Sequence, residues 1–328
     1  MILPLILCAL SPVLSRSVGP SIQLGRKFRV GTTERYQVRA SLAAEEKTRG
    51  LQTAIPEDLD LNYDFSVTVK SLGTDGIAKV IYDRPTFTTI EGETFDAPPK
   101  TKIEKLGLKF ELTVSPINEI LAQVDLSPKK KTSISPVSRV HSKFLRLKKT
   151  HDVIGQYVGE IERLSLFVGS FESSLDFNPR LPFDEVKVGD TWKRTVGYSP
   201  QKLKGKDGKL AVQRLDYVLT YKGLIQSEGK MVQRVEAVLN LDTDLGTFIN
   251  QNLETGSEET GIKSIPLKLQ ASIQFDLDQK FGSTILAQAI SKGGFSIILT
   301  DEPDDPVASV SLKGRTVMRL LPQSVQKK

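Results

Sequence analysis

The 328-residue chain is 39% hydrophobic and 26% charged, with a formal net charge of +6. This composition excludes intrinsic disorder, and the length exceeds that at which one core usually stops growing, so two domains or one double-lobed domain is expected. The only cysteine, Cys8, stands in the apolar N-terminus, and its loss on processing would leave no thiol for a disulfide, a metal or a nucleophile.

The first segment, MILPLILCALSPVLS, carries no charged side chain. Its apolar run from Ile2 to Leu14 suits a signal-peptide h-region and falls short of a bilayer span. Cleavage is expected after Ser15 or Ser17, making residues 1–17 a signal peptide. Leu5, Ile6 and Leu7 ahead of Cys8 lack the small residue of a lipoprotein signal. Only the amino terminus supplies positive charge to the n-region, which leaves a retained anchor as the alternative. The expected localisation is exported: periplasmic, envelope-associated or extracellular, with no transmembrane span in the mature chain.

Residues 18–126 read as a first β lobe. Val30-Gly31-Thr32-Thr33 forms a glycine turn opening the stretch VGTTERYQV. In NYDFSVTVKSLGTDGIAKVIYDR, Tyr63, Phe65, Val67 and Val69 alternate with Asp64, Ser66, Thr68 and Lys70 up to Asp75-Gly76. That is the pattern of a hairpin with one buried face.

Residues 127–180 read as a helical, basic connecting segment. Ser135-Pro136 is a capping residue followed by proline at the first helical position. Val137, Val140, Phe144, Leu147, His151, Ile154, Val158 and Ile161 then recur at three- and four-residue steps along one face. Gly155 and Gly159 weaken the middle, so a break competes with one continuous helix. Between Ser127 and His151 stand eight basic residues, Lys129, Lys130, Lys131, Arg139, Lys143, Arg146, Lys148 and Lys149, and no acidic one. Subtracting them from the net +6 leaves −2 for the rest, so the basicity is local. Such a segment is an amphipathic surface helix, docked on the sheets by its apolar side. Anionic lipid or a cell-wall surface is the candidate partner of its charged side. Nucleic acid is not expected, because no stacking aromatics interleave the cations.

Residues 181–328 read as a second β lobe repeating the first. ILAQ stands at 120–123 and again at 285–288, and a shift of 165 lays LKFELTVSPINEILAQ over IQFDLDQKFGSTILAQ, with Phe110 on Phe275. VGDTWKRTV answers VGTTERYQV at a shift of 158, and a second hairpin pattern turns at Glu228-Gly229. GGFSIILTD and SVSLKGRTVMRLL add two further strands. The expected fold is mainly β, within α+β: two duplicated, curled antiparallel lobes joined by the helical segment.

Leu181-Pro182 followed by Val186-Lys187-Val188-Gly189-Asp190-Thr191-Trp192 resembles the LP…PV…VGDTW stretch of exported bacterial β-rich proteins grouped as domains of unknown function. The resemblance covers residues 181–192. It implies a secreted or envelope-associated β protein and brings no catalytic residues with it.

Chemistry-bearing groups are sparse. His141 and His151 are the only histidines, without a ligand or base partner at i+3 or i+4, and no G-x-S-x-G or phosphate-loop pattern occurs. Asp242 with Asp244, and Asp276 with Asp278, would suit acid–base work in a cleft, but solvated strand faces are the simpler reading. Asp301-Glu302-Pro303-Asp304-Asp305-Pro306 has the composition of a hard-cation loop without EF-hand spacing. Trp192 reads as a core anchor. No cofactor and no metal is expected. The function that follows is a non-enzymatic exported protein of the bacterial cell envelope with a binding or scaffolding role. A carrier of a lipid or other hydrophobic ligand is the alternative, and a hydrolase with dispersed carboxylates the second.

Overall fold

Period-two alternation sets the architecture, because successive side chains of a strand point to opposite faces. The computed structural model describes residues 20–49, 55–91, 100–104, 108–127, 178–198, 213–246, 261–301 and 303–322. Its strands are β1 (Thr33–Thr48), β2 (Ile55–Leu72), β3 (Ala78–Arg84), β4 (Phe87–Glu91), β5 (Lys100–Glu104), β6 (Leu108–Val114) and β7 (Ile120–Asp125). They continue as β8 (Thr191–Tyr198), β9 (Gln213–Ser227), β10 (Lys230–Asp244), β11 (Ile262–Ser264), β12 (Pro266–Asp278), β13 (Thr284–Leu299) and β14 (Ala308–Leu320). On β1 the apolar phase Tyr36, Val38, Ala40 and Leu42 is buried, and the polar phase Arg35, Arg39 and Ser41 is exposed. No helix among the described residues is long and apolar enough to cross a membrane.

Two lobes joined by a helix are not what forms. Among the described residues there is one antiparallel sheet of fourteen strands, with the path β7-β6-β3-β2-β1-β14-β13-β12-β10-β9-β8. β4, β5 and β11 pair off this path. The halves meet by direct pairing of β1 with β14, from Tyr36 opposite Leu320 to Thr48 opposite Ala308. Two separate sheets would each leave this long edge of N–H and C=O groups unpaired, and the ladder removes both edges at once. Of the segment 127–180, residues 128–177 lie outside the described residues, while Ser127 and residues 178–180 are not helical.

GGFSIILTD is likewise not a strand of its own. It continues β13 without interruption from the second ILAQ. Gly293 and Gly294 act here as points of close approach and not as a turn. A Cβ on Gly293 would stand 2.2 Å from the Lys268 carbonyl oxygen, and one on Gly294 would stand 2.4 Å from that of Val310.

Strands β1-β2-β3-β6-β7 and β8-β9-β10-β12-β13 run in the same order within the sheet. Gly31, at φ 81°, donates its N–H to Val69, which donates to Thr32. Gly189, at φ 92°, donates to Tyr221, which donates to Asp190. The register slips between Val69 and Ser71 in one run and opposite Arg234/Val235 in the other. Beyond each slip, Val80 faces Leu112 and Val235 faces Phe275. The position matching Phe275 is therefore Leu112, two residues from the Phe110 that the 165-residue shift selects. Phe110 and Phe275 both point to the buried face of the sheet.

That face forms one continuous core drawn from both halves, including Val38, Leu61, Val80, Leu112, Leu239, Leu269 and Met318. Aromatic rings span four neighbouring strands within it. Tyr36 stacks on Phe65 at 4.9 Å, Phe65 meets Tyr82 at 5.3 Å, and Tyr82 meets Phe110 at 6.1 Å.

Candidate functional site

The chain entering β8 is tied to distant parts of the sheet. Ile22 and Val186 exchange backbone hydrogen bonds of 2.9 Å, and the Leu181 N–H donates to Ile117 in the β6–β7 turn. In that turn Asn118 adopts φ 62°, a left-handed conformation that asparagine tolerates. Its buried amide donates to the Pro179 carbonyl at 3.0 Å. Thr284, at the start of β13, donates to the Asn178 amide oxygen at 2.5 Å. Trp192 is half-buried against the core and donates from Nε1 to the Arg180 carbonyl at 2.7 Å. Arg194 donates to the Leu181 carbonyl at 3.0 Å.

Beside this junction Arg26 is buried and ion-paired to Glu34, which also accepts from the Tyr36 hydroxyl at 2.8 Å. Burial pulls the Arg26 pKa down, but Glu34 and Tyr36 outweigh it and hold it above its ordinary value. Burial, with the Glu34 charge second, pushes the Tyr36 phenol far above the usual range. Arg26, Phe28, Val67, Val80, Val114, Asn118 and Asn178 line a cavity of about 10 Å³, room for a single water molecule. The junction is a polar clasp and too small for an organic ligand.

The carboxylates offered by the sequence are engaged one by one. Asp242 pairs with Lys268 at 3.3 Å on an exposed face. Asp244 accepts from the N–H groups of Gly246 at 2.8 Å and Ile265 at 2.9 Å. Asp276 is fully buried and grips Arg234 in a two-pronged pair of 2.7 and 2.9 Å, with the Ser227 hydroxyl at 2.6 Å. Asp278 closes the β12–β13 turn by accepting from Lys280 and Phe281. In the acidic loop, Arg49 pairs with Asp305 at 3.3 Å, and Lys263 donates to the Pro303 carbonyl at 3.3 Å. Among the described residues no group of three His, Cys, Asp or Glu side chains stands close enough to hold a metal ion.

His141, His151 and the basic residues Lys129, Lys130, Lys131, Arg139, Lys143, Arg146, Lys148 and Lys149 lie outside the described residues. Strand pairing assembles another basic group that the sequence reading passed over, namely Arg39, Lys292, Lys313 and Arg315 on the outer face of β1, β13 and β14. Each occupies the polar phase of a long strand, which was the available signal. Their neighbourhood depends on register and was not legible.

No protein-family model and no curated protein matches the sequence. Among solved structures, one of lipovitellin concerned with lipid–protein interactions aligns at 10% identity and a TM-score of 0.38, covering 90% of this chain and 25% of that one. The chain thus spans a quarter of lipovitellin's length. DynF from the dynemicin pathway of Micromonospora chersina aligns at 9% identity and a TM-score of 0.20, covering 94% and 88% of the two chains. A DUF1329 family protein from Desulfovibrio piger aligns at 9% identity and a TM-score of 0.15, covering 90% and 88%. At these scores the likenesses carry no weight for what this chain does.

Proposed function

We propose that the protein is a non-enzymatic binding protein, exported to the cell envelope, that acts through its surfaces. One observation carries this. The apolar face of the sheet is already buried by the chain itself, with Val38, Leu61, Val80, Leu215, Val235 and Leu269 fully covered. Ligand capture is then a matter for the outer surface, where cations and apolar side chains lie open. The engaged carboxylates support the non-enzymatic reading, since each holds a turn or an ion pair. The repeated strand order and matching glycine turns support an internal duplication, and the likeness at residues 181–192 supports export. The basic segment 129–149 remains a proposed second surface for anionic lipid or wall polymer.

The test is titration of the purified mature protein with a fluorescent fatty acid. No saturable binding is expected, and stoichiometric uptake displaced by natural lipid would favour a hydrophobic carrier, the second reading. Intact mass from the native cell tests export, with loss of about fifteen to nineteen N-terminal residues expected. Retention of Met1 in the cytoplasm overturns the envelope role.

A further inference from the structure

We propose that the outer face of β13, β14 and β1 docks on the surface of an anionic lipid bilayer. Lys292, Lys313 and Arg315 take lipid phosphates there, and Ile290 enters the interfacial layer. Lys292 stands directly opposite Lys313 across the β13–β14 ladder, and Arg315 stands opposite Ile290. On the other side of β14, Lys313 faces Ala43 and Arg315 faces Ser41. All three cations are exposed, and none has an ion-pair partner among the described residues. By register, the carboxylates nearest on this face are Glu45, a diagonal step from Lys313, Asp58, two strands from Lys313, and Asp60, two strands from Arg315.

Two like charges directly opposite on a sheet destabilise it. Four other cations of the sheet do have acid partners. Lys268 has Asp242, Lys222 has Glu236, Arg234 has Asp276, and Arg319 has Glu228. Lys292 and Lys313 instead stand directly opposite each other without an acid partner among the described residues, and an anion supplied from outside completes the pair.

The apolar neighbours choose the source of that anion. Ile290 is 65% exposed, and its row runs through Ser272 to the exposed Val238 and Val218. A soluble polyanion gains nothing from this row. A bilayer interface takes both the apolar side chains and the cations.

This inference rests on the surface-binding reading above, and its test can fail separately. The mature chain is co-sedimented with phosphatidylcholine vesicles, and with the same vesicles containing phosphatidylglycerol, at low and moderate salt. Binding only to the anionic vesicles, weakening with salt, is expected. A basic residue near an anionic surface is worth roughly fivefold in affinity, so the Lys292→Gln/Lys313→Gln/Arg315→Gln variant should lose on the order of a hundredfold at low salt. Ile290→Ser should weaken binding severalfold and leave its salt dependence unchanged. Changing Lys129, Lys130, Lys131, Lys148 and Lys149 to Gln should leave the effect of the triple variant intact. Removing the lysine repulsion should keep or raise the urea midpoint, so the triple variant is expected to fold, and Lys313→Gln alone provides a milder version. Wild-type affinity in the triple variant overturns the proposal. So does equal binding to soluble polyphosphate with no effect of Ile290→Ser. Stoichiometric fatty-acid uptake would overturn the surface-binding reading and leave the vesicle result standing.

Discussion

Asp276 and Asp242 are both aspartates on the outer face of neighbouring strands, and their surroundings give them unequal weight. Asp276 is fully buried under Arg234 and Ser227, so Asp276→Ala leaves a guanidinium without its partner and should cost about 3 kcal/mol or more. Lys268→Gln breaks the exposed pair with Asp242 and should cost under about 1 kcal/mol. Urea unfolding of the two variants checks the contrast, and equal midpoints would contradict it. Tyr36 sets a pH dependence of definite sign. Its phenol is raised by burial, so as pH climbs the unfolded chain loses this proton first. The stability it contributes is complete below the ordinary phenol pKa of about 10 and is lost above it. Tyr36→Phe should cost about 1 kcal/mol at neutral pH through the lost bond to Glu34 and flatten the alkaline fall in stability. An unchanged alkaline slope would rule out Tyr36 as its source.

Strands, not side chains, explain the glycines. Gly31 turns the chain into β1 at φ 81°, with open space where a Cβ would stand, so Gly31→Ala should cost only the left-handed strain of about 1–2 kcal/mol. Gly293 has an ordinary strand conformation, but its missing Cβ is where the Lys268 carbonyl passes. Gly293→Ala should therefore force β12 and β13 apart at a cost of about 3 kcal/mol. Hydrogen exchange should show lost protection in the β12–β13 ladder for Gly293→Ala and not for Gly31→Ala. The Glu228-Gly229 turn was readable beforehand. Both residues have positive φ and join β9 to β10 in the tight two-residue form that matches strand twist.

One sheet running through both halves changes how the molecule should unfold. Two lobes on a helical connector would melt independently. The β1–β14 ladder instead makes the centre of the sheet out of the two ends of the chain. A single cooperative transition is expected, with Trp192 fluorescence and far-ultraviolet circular dichroism giving the same urea midpoint. Separate midpoints would show that the halves are independent after all.

Alternation, turn glycines and the near-absence of reactive side chains are local properties, and the sequence displayed them. The buried phase of β1 and the hairpin at Glu228-Gly229 follow from period two and from φ preferences, which act within a few residues. Register and partner choice do not. Whether β1 pairs with β14 is decided by closing a loop of nearly the whole chain, and no short window records that outcome. The same holds for Leu112 matching Phe275, which a bulge fixes, and for Gly293, whose meaning lies in a carbonyl on another strand. The patch of Lys292, Lys313 and Arg315 with Ile290 is of this kind as well. Composition locates positive charge only where it is contiguous, as at residues 129–149. Charges separated along the chain become one surface only when the ladders of β13, β14 and β1 lay them side by side.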